Sequence, residues 1–305
     1  MYRRLLSFSL LLSVVAACGE EPTLSAQGEN LFREEIVGGE SVESVRTYPW
    51  MASLQHDVHG HYCGATLIAP EWLVTAAHCL DIYPYQESQI VLGILDKHEI
   101  DDAEVHRIDN VVVHESEYDN WAYGHDIALL HLATPSRKTP IDLASSEDLV
   151  IAGVDATLIG WGTTDGLKDL TLPIASDASC NAQFLDVFIH VYNPDAHICV
   201  QPQGVTDLGL SDAGDGPLQI PKGMGLIDDG LANGDSGGPL VIQNGQGEFR
   251  LVGVASFRLS SAYLHADMIS VFSEVSNYLN WITNAQGHAP MLFPNPRTTM
   301  HDEID

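Results

Sequence analysis

Positive charge is scarce in this chain. Its 305 residues carry 13 Lys+Arg against 42 Asp+Glu, a formal net charge of -29. A surface this acidic repels phosphate backbones, which argues against a nucleic-acid partner. Long apolar runs are missing beyond the first residues, so no later stretch reaches transmembrane length. The 14 histidines never fall in a His-Glu-x-x-His spacing, which disfavours zinc-dependent hydrolysis. There is no repeat of fixed period and no low-complexity tract. Cysteine is rare and odd in number, five in all, which raises the question of the one left over. What is present is globular in composition, 45% hydrophobic and 18% charged. The length suits about two domains and a sizeable core.

The first segment reads as an export signal. Arg3 and Arg4 precede an apolar run from Leu5 to Ala17, long enough for a signal h-region and too short to span a bilayer comfortably. The run ends in Val15-Ala16-Ala17-Cys18, which resembles a bacterial lipobox. Lipidation of Cys18 would remove it from the disulfide pool and resolve the odd count. The alternative is an ordinary signal peptide cut nearby, with Cys18 incidental. Residues 1–18 are therefore expected to be the signal, and 19–35 a polar, acidic linker or propeptide.

From Ile36 onward the chain is strand-rich. Short, often β-branched or aromatic stretches recur between Gly, Pro, Asn and Asp. Examples are Tyr62 to Ala69, Asp109 to His114, Ile127 to Leu132, Val154 to Gly160, Pro239 to Ile242, Arg250 to Phe257 and Ile269 to Val275. Such spacing predicts an all-β sandwich or barrel. One segment, Ser276 to Ala285, reads as clearly helical, with Ser276 as its cap and Tyr278, Leu279, Trp281 and Ile282 on one side. Gln201 to Gly230 reads as a long loop or insertion, and Gln286 to Asp305 as a patternless tail.

Three motifs carry chemistry. In Gly234-Asp235-Ser236-Gly237-Gly238-Pro239, glycines let the backbone turn tightly and aim amide N–H groups at one spot beside a serine. A serine hydroxyl needs a base to become nucleophilic. Thr75-Ala76-Ala77-His78-Cys79 supplies an imidazole, and His125-Asp126-Ile127-Ala128-Leu129-Leu130 an acid before an apolar strand. With Ile36-Val37-Gly38-Gly39 and Gly160-Trp161-Gly162, the set resembles the chymotrypsin/trypsin-like serine peptidases over Ile36 to Ala285, in that family's order of His, Asp, Ser.

The resemblance implies two six-stranded antiparallel β-barrels with a short C-terminal helix. They would span residues 36–145 and 146–285, followed by a tail of 286–305. It implies that Ser236 is the nucleophile, His78 the base and Asp126 the residue that orients it. Gly234 and Ser236 would supply the oxyanion-hole amides, and Ser256 would hydrogen-bond Asp126. It pairs Cys63 with Cys79 and Cys180 with Cys199, bridges that export permits. The family's usual bridge beside the serine is absent, since Ala232 stands there. Cleavage before Ile36 would free an ammonium to pair with Asp235 and order the site, as in a zymogen. That cut follows Glu35, so either another peptidase or self-cleavage performs it. It would also release the domain from a lipid anchor at Cys18, because Cys18 has no disulfide partner in the domain.

The pocket residues are Gly230, Leu231, Ser256, Phe257 and Arg258. Gly230 occupies the position where trypsins read Lys or Arg with an aspartate, and Asp228 and Asp229 stand just before it. Arg258 replaces an entrance glycine. It either narrows the pocket, pairs with an acidic side chain, or points to solvent. Glu34-Glu35 also suits self-activation by a Glu-preferring enzyme. Glu99, Asp101, Asp102 and Glu104 lie where the family has a calcium loop, but Ile94 stands in place of the first acidic ligand. No metal and no cofactor are expected. Protein or peptide substrates are implied, with the mature domain periplasmic or extracellular.

Two rival readings fit parts of the sequence. Gly234-x-Ser236-x-Gly238, with Asp267 and His288 following, also satisfies an α/β-hydrolase pattern, but Gly237-Gly238-Pro239 is a poor helix start. The other is a non-catalytic peptidase homologue acting as a binding protein.

Overall fold

The computed structural model describes residues 39–114, 125–145, 148, 150–185, 192–201, 231–258 and 269–287. All of them belong to one compact unit, Glu34–Asp305. The chain begins with β1 (Glu40–Ser41) and then builds β2 (Met51–His56), β3 (Gly60–Ala69), β4 (Trp72–Thr75), β5 (Ser88–Leu92), β6 (Glu104–Val113) and β7 (Ala128–Leu132). The last six close into an antiparallel barrel in the order β2-β3-β4-β7-β6-β5. Pairing of Ala52 with Leu92 through His56 with Ser88 seals the ring.

On β6 the pattern alternates as a half-buried strand should: His106, Ile108 and Asn110 are buried, while Val105, Arg107 and Asp109 are exposed. On β2 every residue is buried. Its polar members are satisfied internally. Gln55 Nε2 donates to Ser53 Oγ (3.0 Å) and to the Lys97 carbonyl (2.9 Å).

The second half contributes β8 (Asp142–Leu143), β9 (Asp155–Gly160), β10 (Lys168–Pro173), α1 (Asp177–Leu185), β11 (His197–Val200), β12 (Pro239–Gln243), β13 (Phe249–Arg258), β14 (Ser270–Glu274) and α2 (Leu279–Gly287). Its sheet runs β1-β10-β9-β12-β13-β14-β11, with β8 added in parallel to β13. The six strands β9 to β14 come round on themselves at one isolated bridge, Ile174 to Val200. The Ala175 N–H to Cys199 carbonyl bond (2.9 Å) flanks that bridge. The fold is thus mostly β: a closed six-stranded barrel, a second sheet and a short helix near the C-terminal end.

Both disulfides, Cys63–Cys79 and Cys180–Cys199, are formed. The first ties the turn after β4 to β3; the second ties α1 to β11. Helix α1 is a second helix where one was expected. Its start is marked by Ser176, whose Oγ accepts the Ser179 N–H (3.2 Å), with Asp177 in the first turn. Near the C-terminal end, Ser276 does not cap a helix. Its hydroxyl donates to Glu274 Oε1 (2.7 Å), and a 3-10 turn, Val275–Tyr278, precedes α2. Tyr278 and Ile282 point inward, as their spacing predicts, and α2 runs on to Gly287, past the expected end. Residues 202–230 of the expected loop and 288–305 of the tail lie outside the described residues.

The two halves touch through bare backbone. Gly64 N–H donates to the Ser236 carbonyl (2.7 Å), and a Cβ on Gly64 would sit 2.8 Å from Gly238 Cα. Real Cβ atoms do not approach backbone that closely, so an added methyl must push the segments apart. Gly64→Ala is expected to cost about 1–3 kcal/mol and lower the thermal midpoint by several degrees. Gly245→Ala, where nothing lies within 4 Å, is expected to leave it unchanged. Equal midpoints for the two variants in a thermal melt would refute the close approach.

Candidate active site

His78 sits in the 3-10 turn Ala77–Asp81 that follows β4, pinned there by its neighbour's disulfide. Asp126 lies just before β7 and is fully buried. A carboxylate without water must find its donors in the protein. Asp126 Oδ2 accepts His78 Nδ1–H (2.7 Å) and Ser256 Oγ–H (2.5 Å), while Oδ1 accepts the His78 backbone N–H (2.9 Å). Ser273 Oγ, on β14, donates to the Asp126 carbonyl (2.8 Å). Since a carboxylate only accepts, His78 carries a proton on Nδ1 and directs Nε2 away from the acid.

Ser236 lies in the turn before β12. Gly234 and Gly237 around it take φ of 98° and 78°, a region that suits glycine. The Gly237 N–H goes to the Ala255 carbonyl (2.7 Å) and the Gly238 N–H to the Asp235 carbonyl (2.8 Å), which locks the turn. A cavity of 240 Å³ is lined by Ser236 and His78 together with Leu231, Ala232, Asn233, Ser256, Phe257 and Arg258. The serine and the imidazole thus face one space, and an imidazole braced by an acid beside a serine can activate it for acyl transfer.

The pocket residues within the described chain all reach this space. Leu231 is fixed from both sides: its N–H donates to Ser270 Oγ (2.9 Å), and its carbonyl accepts Arg258 Nη1 (2.9 Å). Arg258 therefore lies along the cavity wall. Gly230 lies outside the described residues, as do Ile36, Cys18, Asp267 and His288. A strand, not a helix, follows Ser236, so no α/β-hydrolase elbow forms.

Asp235 is buried, and its two oxygens accept the Gly162 N–H (2.7 Å) and the Ala232 N–H (2.8 Å). Burial pushes its pKa up to about 7, against the pull of the two amides and of the positive charges on Arg258 and Lys97. His61, which the sequence reading did not single out, reaches the same turn. Its Nε2 bonds the Gly234 carbonyl (3.1 Å) and its Nδ1 bonds Ser53 Oγ (2.8 Å), with the ring edge against Trp161. Burial drops its pKa to about 4, with Lys97 adding to the fall. Ser273 was also missed. Strand β14 reads Ser-Val-Phe-Ser-Glu, and nothing in that sequence marks which serine meets Asp126.

Glu104, from the suspected calcium loop, is occupied by its own neighbours: it accepts Ser136 Oγ (2.7 Å) and the Arg137 N–H (3.0 Å). Among the described residues, Cys63, His78 and Cys79 form the one cluster with metal-ligand spacing. Its two sulfurs are bonded to each other and offer no thiolate.

A family model described as trypsin matches residues 36–227 and 219–282. The chain belongs to the trypsin family of serine peptidases. It is 30% identical over 265 residues to "Fibrinolytic enzyme, isozyme C" of Lumbricus rubellus, covering 81% of this chain and 98% of that one. It is 32% identical over 232 residues to "Trypsin" of Saccharopolyspora erythraea, covering 73% and 86%. Members of this family are hydrolases that act on protein or peptide substrates and are typically secreted. Among the described residues, no helix is long and apolar enough to cross a membrane.

The Asp235 shift has a measurable sign. An acid whose pKa rises on folding binds more protons folded than unfolded, so its stability contribution is full below the ordinary value of 3.8 and is lost as pH rises through about 7. In the uncleaved chain, the midpoint of wild type minus that of Asp235→Ala is expected to fall between pH 4 and pH 7 and flatten above it. A difference that rises with pH would contradict the burial-driven shift.

Proposed function

We propose that the protein is an exported serine endopeptidase, made as a zymogen, that hydrolyses peptide bonds through an acyl-enzyme. Ser236 Oγ attacks the scissile carbonyl. His78 Nε2 takes the hydroxyl proton and returns it to the leaving amine. Asp126 holds the imidazole in the Nδ1–H tautomer and stabilises the imidazolium. Water then repeats the sequence on the acyl-enzyme. The Gly234 and Ser236 N–H groups receive the developing oxyanion, where losing one donor costs on the order of 10²–10³ in rate. The observation that carries this reading is the buried Asp126 carboxylate joining His78 and Ser256 beside the cavity that Ser236 lines.

The zymogen reading rests on Asp235. An acid with two amide partners among the described residues gains much in its buried site from an ammonium, and cleavage before Ile36 supplies one. In this reading residues 1–18 direct export and lipidation at Cys18, 19–35 form the propeptide, and 36–145 and 146–285 form the two lobes. The mature domain works in the periplasm or outside the cell. Activation, by another peptidase or by the enzyme itself, frees it from the membrane.

A serine-directed fluorophosphonate tests the chemistry. The chain with Ile36 at its N-terminus is expected to label stoichiometrically at Ser236, read by mass spectrometry of the peptide. Ser236→Ala is expected to lose all labelling and on the order of 10⁴–10⁶ in kcat. Unlabelled but folded wild-type protein would mean that the family fold serves binding instead.

A further inference from the structure

The cavity beside Ser236 has a guanidinium in its wall. Its described walls include Leu231, Ala232 and Phe257, which are apolar, and no carboxylate. Among the described residues that line it, Arg258 carries a permanent charge. The guanidinium is not loosely placed: Nη1 holds the Leu231 carbonyl at 2.9 Å, and Ser270 Oγ holds the Leu231 N–H from the other side. Arg258 also follows Ser256 by two residues on β13, the strand that carries the hydrogen bond to Asp126. Its position is therefore coupled to the reacting groups through rigid sheet and not through a loop.

We infer that this cavity receives the side chain preceding the scissile bond and that Arg258 selects an acidic one, glutamate or aspartate. The inference rests on the peptidase reading above and adds the substrate class. At 240 Å³ the space exceeds several water volumes of about 30 Å³, room for a side chain. A planar, permanently charged fork matches a carboxylate in geometry and in sign. A lysine or arginine entering the same space meets like charge. A neutral isostere such as glutamine keeps the shape and loses the charge-assisted bond, and a polar site rejects a ligand that leaves its groups unpaired.

The chain itself contains such a sequence. Glu34 and Glu35 stand immediately before Ile36. An enzyme with this preference cuts a second copy of its own chain at the junction that frees Ile36, so the same arginine that reads substrates also permits self-activation.

The test uses the chain with Ile36 at its N-terminus, its active sites counted by fluorophosphonate, and peptides that differ only at the residue before the cut. A Glu peptide is expected to exceed its Gln twin in kcat/KM by about 10–100-fold, the worth of one charge-assisted hydrogen bond. Arg258→Gln is expected to bring the two within about threefold, and Arg258→Glu to turn the preference toward Lys. A titrated, active enzyme that does not favour Glu over Gln overturns the inference and leaves the peptidase reading standing. Absence of fluorophosphonate labelling overturns both. The Glu-to-Gln ratio of the wild type needs no variant, so a misfolded mutant cannot obscure the answer. In a second arm, Ser236→Ala chains serve as substrate for the mature enzyme. Cutting between Glu35 and Ile36 that is lost in a Glu34→Gln/Glu35→Gln double variant supports self-activation, and equal cutting of both overturns it.

Discussion

A carboxylate shut away from water must be satisfied by the protein around it, and this constraint at Asp126 organises the molecule. The carboxylate draws donors from the turn after β4, in the first barrel, and from β13, in the second sheet, while Ser273 on β14 holds the backbone carbonyl of the same residue. Neither sheet can shift its register without leaving that acid short of a partner, and an unpaired buried charge is among the costliest defects a fold can carry. The same bonds that make the acid tolerable also fix the imidazole tautomer. Stability and chemistry are met here by one set of contacts.

Asp235 is buried as deeply but treated differently. It has two backbone amides and more distant positive charges in place of a serine and a histidine, and its proton affinity rises accordingly. The contrast between the two acids divides their work. One is bound by side-chain and backbone donors next to the imidazole; the other, beneath the serine turn, is left able to respond to a change in its surroundings. His61, kept neutral by burial between Ser53 and the Gly234 carbonyl, ties that turn to β2.

The residues that could be read from the linear chain are those whose flanking sequence shapes them: the glycines around Ser236, the Ala76-Ala77 before His78 and the apolar strand after Asp126. The family resemblance also joined Ser256 to Asp126, and in the structure Ser256 Oγ–H donates to Asp126 Oδ2. What escaped depends on which strand lies beside which. His61 meets Gly234 only because β3 crosses the serine turn, and Ser273 meets Asp126 only through the register of β13 on β14. Strand β2 shows no alternation because it is buried throughout, polar members included, so its period-two signal is erased. The ring of β9 to β14 turns on a single bridge at Ile174, too small a feature to leave a sequence pattern. Helix α1 was overlooked for a different reason: its start is written in Ser176 and Asp177, while its apolar spacing is weak.

Strand β1 pairs with β10, Glu40 to Asp169 and Ser41 to Lys168, although the whole first barrel lies between them in the chain. Its neighbour does not exist until just over half of the polypeptide has been made. Strand β1 can therefore dock only after all strands of the first barrel have been made. A chain that folds as it is made must hold this short strand without its sheet neighbour until β10 arrives to receive it.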